Sequence, residues 1–209
     1  MKSQDLFLNH PITTKSFAII DQEIGQHDFD ALEYKVVRRV IHSTADFELI
    51  NSLSFSPNAI KKGINALKKK TPIVTDVTMV KQGVLSLVNK TFKNLVIASV
   101  NQTSGSNPGK TLTETGLLKC CNTYPRGIYV IGNAPTALLT LCQQILLNKI
   151  QPSLIIGAPV GFVSVLEAKQ ALKRVNVPKI IVQGRKGGSP VAASILNALI
   201  TLAYKNELP

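Results

Sequence analysis

The sequence predicts an α/β fold: a doubly wound, mainly parallel sheet with helices on both faces. Three consecutive stretches, residues 127–148, 152–175 and 177–205, each read as a short apolar strand, a turn of small residues and a helix. Near-continuous β-branched runs are typical of parallel strands that are covered on both faces, and alternating strands and helices are typical of doubly wound sheets. A proline, whose missing N–H costs little in a first turn, stands near each expected helix start: Pro135, Pro159 and Pro190.

The upstream part of the chain adds elements of the same kind. PIVTDVTMV and NLVIASV read as strands, and SFSPNAIKKGINALKKK, MVKQGVLSLVNK and TLTETGLLKC read as helices. No linker or shift in composition divides the chain, so the sequence predicts a single domain over residues 1–209. In open α/β sheets, ligands bind at the carboxyl ends of the strands. We therefore expect the site to be built from TDVTMV (75–80), GNAPTA (132–137), GAPVGF (157–162) and GRKGGS (184–189).

The composition excludes several classes of protein. Hydrophobic residues make up 44% and charged residues 17% of the chain, which excludes a disordered or fibrous protein. No apolar run reaches the ~18 residues of a membrane span, and the first residues lack the apolar core of a signal peptide. We therefore expect a soluble, cytoplasmic protein with no membrane partner. Cys120, Cys121 and Cys142 lack metal-ligand spacing, so we expect reduced thiols and no bound metal.

The net charge of +12, from 24 Lys+Arg and 12 Asp+Glu, is the first indication of a ligand. Such a balance suits nucleic acid, a membrane surface or a small polyanion. Part of the charge stands in KKGINALKKK (61–70), which at helical spacing forms a solvated face. Only 5% of the residues are aromatic and tryptophan is absent, so platforms for stacking on single strands are scarce. The charge therefore favours an anionic small molecule and no nucleic acid.

Among the four loops, GRKGGS has the most specific pattern. Its glycines allow backbone N–H groups to approach a ligand, and the helix that begins near Pro190 directs its positive end there. Arg185 and Lys186 add cations suited to phosphate or carboxylate. The spacing matches neither the P-loop nor the dinucleotide-binding fingerprint. Two interpretations stay open, an anion-binding loop and a glycine-rich connector with solvated cations, and we favour the first.

GNAPTA and GAPVGF also combine small residues with expected helix starts. Small residues at these places allow either tight packing of strand on helix or contact with a ligand, and the sequence does not decide between the two. Asn133 and Thr136 could equally cap the following helix. Three such loops at one sheet edge would form a broad cleft without bulky side chains, which suits a large, flat ligand.

His42 ends a predicted amphipathic helix that Asp30 and Glu33 open with the pattern of an N-terminal cap. Helical spacing gives an apolar face with Leu32, Val36, Val37, Val40 and Ile41, and a basic face with Lys35, Arg38, Arg39 and His42. Because a core histidine would share the apolar face, His42 is either a solvent-exposed residue or an acid–base group of the site. Nearby cations lower an imidazole pKa and a helix C-terminus raises it, so its protonation state stays open.

The chain carries six distinctive segments between about His10 and Ala198: HPITTKSFAIIDQE, VVRRVIHSTADFE, TDVTMVKQG, IGNAPTAL, IGAPVGFVSVLEAK and GRKGGSPVAASILNAL. In their sequence, order and spacing they resemble the precorrin-8X methylmutase family of cobalamin biosynthesis. RVIHSTAD, GNAPTAL and GRKGGSPVA are long, specific strings. The resemblance implies an isomerase that needs no cofactor and moves a methyl group within a corrin precursor, from ring carbon 11 to carbon 12. Its product would be hydrogenobyrinate or the cobalt counterpart.

The resemblance also implies roles for individual residues. His42 matches the family's active-site histidine, which is expected to protonate or hydrogen-bond the macrocycle, and the family is dimeric with its site near the subunit interface, which implies a homodimer. The substrate is a broad anionic ring edged with carboxylates. The residues expected to bind it are Ser16, Arg38, Arg39, Thr44, Asp76, Met79, Asn133, Ala134, Pro135, Thr136, Gly157, Pro159, Gly161, Arg185, Lys186, Gly187, Gly188 and Ser189. Ser16, Thr44 and Asp76 could alternatively act as caps or turn residues.

One position departs from the family's pattern. Many relatives carry Thr-Arg where this chain has Thr111 followed by Leu112. An arginine there is expected to bind a substrate carboxylate, which a leucine cannot do. Either another cation such as Lys110 or Lys119 replaces it, or substrate binding is weaker. The departure supports an alternative function, a corrinoid-binding relative with weak or no turnover.

Overall fold

The computed structural model describes residues 10–205, which form eight α-helices and six strands. The helices are α1 (Pro11–Ile24), α2 (Ala31–Thr44), α3 (Ala59–Lys68), α4 (Thr78–Lys90), α5 (Leu112–Thr123), α6 (Pro135–Leu146), α7 (Val165–Arg174) and α8 (Ser189–Tyr204). The strands are β1 (Leu53–Phe55), β2 (Ile73–Thr75), β3 (Val96–Ala98), β4 (Ile128–Ile131), β5 (Leu154–Gly157) and β6 (Lys179–Val182). Two short 3-10 helices, Phe47–Asn51 and Ser99–Gln102, join these elements.

The six strands form one sheet in the order β1-β6-β5-β4-β2-β3. All neighbouring strands are parallel except β1, which pairs antiparallel with β6. The predicted doubly wound, mainly parallel sheet is therefore confirmed. From β2 the chain runs outward to the edge strand β3 and then back past β2 to β4. The strand order thus reverses between β2 and β4, and such switch points open crevices at the carboxyl ends of the strands.

Helices cover both faces of the sheet, each over its own apolar core. On one face α8, buried along most of its length, packs against α2, α3 and α4 and contacts β4 and β5. On the other face α5, α6 and α7 cover a second apolar cluster. This second cluster contains Cys120, Cys121 and Cys142, all free and buried. Burial raises the pKa of the Cys120 thiol to about 11 and those of Cys121 and Cys142 to about 12.

The predicted start and apolar face of α2 are confirmed. The Asp30 carboxylate accepts hydrogen bonds from the N–H groups of Leu32 and Glu33, both at 2.8 Å, and the Glu33 carboxylate accepts one from the Asp30 N–H. This capping box satisfies donors that a helix start leaves unpaired. The residues buried on the apolar face are Val36, Val37, Val40 and Ile41.

Three local predictions were wrong. The start of SFSPNAIKKGINALKKK is not helical, since Ser54 and Phe55 belong to β1, a strand too short to show a period. Pro159 does not open a helix, because α7 begins at Val165. Neither Asn133 nor Thr136 caps α6: its N-cap residue is Ala134, and no side chain makes a capping hydrogen bond there.

Residues 10–205 contain neither a candidate membrane span nor a candidate metal-binding cluster. No helix of this part of the chain is long and apolar enough to cross a membrane. Within the same residues, no three or more His, Cys, Asp or Glu side chains cluster in a way that could hold a metal ion.

Candidate active site

Asp76 joins the two strands at which the sheet order reverses. It follows β2 directly, is fully buried, and its carboxylate accepts four backbone hydrogen bonds across the switch point. One oxygen accepts from the N–H groups of Val77 (3.0 Å) and Gly132 (3.1 Å), and the other from Asn133 (2.6 Å) and Ala134 (2.8 Å). Burial raises the pKa of Asp76, while the four N–H donors act in the opposite direction. Asp76 therefore holds the GNAPTA loop in place and has no surface left for a ligand.

The GRKGGS loop is fixed by a buried lysine that the sequence analysis did not single out. Lys169 on α7 is almost fully buried, and its Nζ donates to the carbonyl oxygens of Gly184 (2.7 Å) and Lys186 (2.8 Å). Burial lowers the pKa of Lys169 to about 8. A signal was present in the sequence, because Lys169 stands four residues after Val165 and three before Leu172, on the apolar face of the helix.

The GRKGGS loop also packs closely against the GAPVGF loop. The Gly188 N–H donates to the Ala158 carbonyl (2.8 Å), and the Gly161 N–H donates to the Arg185 carbonyl (3.3 Å). Gly187 has a φ of 151°, and a Cβ there would collide with the Ala158 carbonyl oxygen. Only glycine fits this position, because a side chain would be strained and would also push the two loops apart. The two loops therefore form one continuous wall at the carboxyl edge.

Lys186 and Arg185 have different surroundings despite being neighbours. The Lys186 ammonium pairs with the carboxylates of Asp46 (2.7 Å) and Glu48 (2.6 Å), which follow His42 along the chain. These carboxylates raise the pKa of Lys186. Arg185 is exposed, and no acceptor among residues 10–205 binds its side chain. Lys186 thus connects the loop to the segment after His42, while the Arg185 guanidinium is available to a ligand.

His42 stands in the last turn of α2, half-buried, with the Phe17 ring edge-on at a centroid distance of 5.2 Å. Partial burial lowers the pKa of His42 below its ordinary 6.5, and the positive charge of Arg39 lowers it further. The shift in the pKa of His42, whose direction the sequence left open, is therefore downward. At neutral pH the imidazole is mostly uncharged and can donate one hydrogen bond and accept another.

The two arginines before His42 differ as well. Arg38 Nη1 pairs with the Asp21 carboxylate of α1 at 2.7 Å, and the same carboxylate accepts a hydrogen bond from the Tyr34 hydroxyl at 2.6 Å. The Arg38 guanidinium also lies over the Phe17 ring, 4.4 Å from its centroid. Arg39 is half-buried, and no residue from 10 to 205 accepts a hydrogen bond from it.

The remaining residues that are expected to bind substrate form two groups. The first group has exposed or polar side chains, and the second packs within the fold. Asn133 and Met79 are exposed, and the half-buried Thr136 lies beside Thr111, with their hydroxyl oxygens 3.4 Å apart. Ser16 and Thr44 are half-buried, and each hydroxyl donates to a carbonyl of its own helix (both 2.9 Å). The residues that pack within or between elements are Ala134, Pro135, Gly157, Pro159, Gly188 and Ser189. Gly157, for example, faces Leu172 of α7. Gly161 is half-exposed, and a Cβ there would meet no atom of residues 10–205 within 4 Å.

Comparison with known proteins assigns the family. The family model described as precorrin-8X methylmutase matches residues 11–202. The chain belongs to the precorrin-8X methylmutase family. This family is one of isomerases, and the resemblance seen in the six sequence segments is thereby confirmed.

Individual members of the precorrin-8X methylmutase family match over nearly the whole chain. A protein of Synechocystis sp. named cobalt-precorrin-8 methylmutase is 50% identical, over 95% of this chain and 98% of its own length. A protein of Leptospira interrogans with the same name is 40% identical, over 95% and 96%. The solved precorrin-8X methyl mutase of Thermus thermophilus superposes with a TM-score of 0.86 at 38% identity, covering 94% of this chain and 99% of that one.

The departure at residue 112 lies at the edge of the same site. Thr111 is the N-cap of α5, and Leu112 is the first residue of that helix, with 38% of its surface exposed. Lys119 donates to the Gln102 carbonyl (3.3 Å). Lys110 lies near the Glu114 carboxylate and lowers its pKa. Lys110 and Lys119, which the sequence suggested as replacements for an arginine, therefore each interact with a neighbouring group.

Proposed function

We propose that the protein catalyses the intramolecular migration of a methyl group from carbon 11 to carbon 12 of a precorrin-8-type macrocycle in cobalamin biosynthesis. The observation that carries the proposal is His42, half-buried at the end of α2 in a chain of the precorrin-8X methylmutase family. The segment that follows it contacts the GRKGGS loop, because Asp46 and Glu48 pair with Lys186. The reaction is an isomerisation, so substrate and product contain the same atoms. It therefore needs orientation of the ring and assistance with a proton more than a nucleophile.

The proposed roles follow the surroundings of each residue. His42, mostly uncharged at neutral pH, hydrogen-bonds the macrocycle next to the migrating methyl group and exchanges a proton there. The GNAPTA and GRKGGS loops, in which glycine and other small residues predominate, admit the flat ring, whereas the GAPVGF loop presents the exposed side chain of Phe162. Arg185 and the N-terminus of α8 bind carboxylates at the rim of the ring. Asp76 and Lys169 position two of these loops without touching the substrate.

We propose cobalt-precorrin-8 as the first substrate to test. The Synechocystis and Leptospira relatives, at 50% and 40% identity, are both named for the cobalt-containing substrate. The Thermus structure is named for the metal-free one. Purified protein should therefore be mixed with each compound separately, and conversion followed by absorption spectroscopy, because the methyl shift changes the conjugation of the ring. Binding of both compounds without conversion of either would contradict the proposal.

His42→Ala tests the role of the histidine in the same assay. Because His42 is off the apolar face, the variant should fold, yet turnover should fall about 10²–10⁴-fold, the usual contribution of acid–base assistance. His27→Ala is a matched control, since His27 is exposed and stacks on Tyr34 away from the cleft loops. Near-normal turnover by His42→Ala would remove this residue from the mechanism.

A second candidate function, corrinoid binding with little turnover, is favoured by Leu112 alone. Leu112→Arg restores the cation that many relatives carry and should lower KM if the wild-type site lacks it. The second candidate would be supported by one pair of results. The wild type would bind the macrocycle without changing its absorption spectrum, and Leu112→Arg would convert it.

We also propose that the chain acts as a homodimer. Ile12 and Ile19 on α1 are 68% and 56% exposed, and they flank Ser16 on the same side of the helix. A second copy covering this apolar side would exclude water from it. Sedimentation should give twice the chain mass of 22.6 kDa, and Ile19→Glu should lower the dimer fraction. A mass of one chain at all concentrations would contradict the dimer. The cytoplasmic location expected from the sequence stays a prediction.

A further inference from the structure

A pocket of about 230 Å³ lies between α1, α2 and α8. Its lining includes Arg38, Arg39, Thr13 and Thr14, and no acidic residue between 10 and 205 lines it. Ligand pockets for drug-sized molecules measure roughly 300–1,000 Å³. The pocket is therefore too small for a macrocycle and has the size for a single anionic group.

Arg39 carries a positive charge that no acidic side chain in the described part of the chain pairs with. Its guanidinium is half-buried, and no carboxylate or carbonyl of residues 10–205 accepts a hydrogen bond from it. An arginine cannot lose its proton in a protein, so partial burial removes water from a permanent charge without replacing it. Such burial is costly unless an anion binds.

Arg38 and the threonines add further donors on the same pocket. Arg38 uses Nη1 on Asp21, but its Nε is buried and has no acceptor in the part of the chain that the structure describes. The hydroxyls of Thr13 and Thr14 likewise donate to no group within residues 10–205. Guanidinium groups bind carboxylate and phosphate through two parallel hydrogen bonds. The unused donors thus match one oxyanion.

We propose that this pocket is an oxyanion site in which Arg39, with Arg38 Nε and the two threonine hydroxyls, binds a carboxylate or phosphate group. Two sources supply such a group. One is a peripheral carboxylate of the corrin precursor, a version that rests on the proposed function. The other is a free anion such as inorganic phosphate, and this version is independent of that function.

Binding of an anion in this pocket should change the pKa of His42. Arg39 is the charged group that acts on the imidazole, and α1 faces His42 with the uncharged ring of Phe17. An anion on Arg39 offsets its positive charge, so the pKa of His42 rises when the site fills. Anion binding therefore increases the protonated fraction of His42 at neutral pH.

Inorganic phosphate is the first probe, at constant ionic strength. The Tm of the wild type should rise with phosphate concentration, since a ligand that binds only the folded state stabilises it. The His42 imidazole signal in NMR, identified with His42→Gln, should report a higher pKa. Arg39→Gln should weaken phosphate binding ~10- to 100-fold, the loss expected for charged hydrogen bonds. Arg174→Gln, an exposed arginine at the end of α7, is the matched control and should change nothing.

The macrocycle is the second probe and identifies the source of the anion. If a substrate carboxylate occupies the pocket, Arg39→Gln raises the Kd of the corrin precursor ~10- to 100-fold and phosphate competes with it. If a free anion occupies it, phosphate binds without competing. Binding of the macrocycle is read from its absorption, so a chain that binds but does not convert it still gives a result.

The proposal is overturned if Arg39→Gln matches the wild type in both phosphate binding and macrocycle affinity, or if Arg174→Gln loses phosphate binding equally. Should Arg39→Gln fail to fold, Arg39→Lys replaces it. That variant keeps the charge but loses the planar pair of donors, so phosphate binding should again weaken.

Discussion

The imidazole of His42 lies in an environment that α1 and α2 create. Its ring lies against Phe17, and the neighbouring positive charge is Arg39, on its own helix. Both partial burial and this charge lower the pKa of His42, so the uncharged form dominates at neutral pH. An uncharged imidazole can donate a hydrogen bond and accept a proton, and it must first accept a proton before it can act as an acid.

The pH dependence of turnover follows from this shift. As the pH falls through a pKa below 6.5, His42 gains a proton and the working form is lost, so kcat should fall on the acid side. Arg39→Gln removes the nearby cation, so the pH at which kcat falls on the acid side should move toward 6.5. The measurement is kcat against pH for both proteins, with NMR titration of His42. A kcat that rises as the pH falls would show that the imidazolium is the working form.

Two of the cleft loops are each positioned by one buried charged residue. Lys169 extends from α7 to the carbonyl groups of the GRKGGS loop, and Asp76 extends from β2 to the N–H groups of the GNAPTA loop. In both cases one side chain fixes a run of backbone on a neighbouring element. Both loops therefore keep their shape through hydrogen bonds to a buried side chain.

Replacing Lys169 should loosen the GRKGGS loop. Lys169→Met leaves the carbonyls of Gly184 and Lys186 without their donor, which should lower the free energy of unfolding by about 1–3 kcal/mol. Displacement of Arg185 should lower kcat/KM roughly tenfold. Lys173→Met is a matched control one turn later, where the ammonium binds the Gln183 amide at the surface. Hydrogen exchange at residues 185–188 should accelerate in Lys169→Met alone; unchanged exchange would contradict the positioning role.

Asp76→Asn tests the link across the switch point. Each carboxylate oxygen accepts two N–H groups, and the amide nitrogen of asparagine would face two donors with a donor of its own. We expect a loss of about 2–3 kcal/mol in the free energy of unfolding by urea. Asp28→Asn, at an exposed carboxylate, should leave stability unchanged. Equal stability of both variants would mean that the loop holds its shape without the charge.

The sequence predicted what depends on local periodicity and missed what depends on distant partners. The strands β4, β5 and β6 and the capping box of α2 follow from neighbouring residues, so they were predictable. The pairing of Lys186 with Asp46 and Glu48 joins residues far apart in the chain, and no local pattern indicates it. The same applies to Asp76, whose partners arrive only when β4 inserts beside β2.

At the scale of the whole molecule, one sheet connects both apolar cores. We propose that residues 1–209 form a single domain, because each face of the sheet needs its own layer of helices to exclude water. Urea unfolding followed by far-UV circular dichroism and by tyrosine fluorescence should then give coincident single transitions, with a free energy of about 5–15 kcal/mol. Two separated transitions would indicate two independently folding parts.

The burial of Cys120, Cys121 and Cys142 has a practical consequence for placing a fluorescent label on the loops. With pKa values of about 11 to 12, these thiols carry almost no thiolate at neutral pH, and thiolate is the form that reacts with maleimides. The native chain is thus already suited to site-specific labelling without removal of any cysteine. A cysteine introduced by Phe162→Cys, at a side chain 85% exposed on the GAPVGF loop, would be labelled selectively. A change in the emission of a fluorophore there would report on binding of a ligand next to the GAPVGF loop.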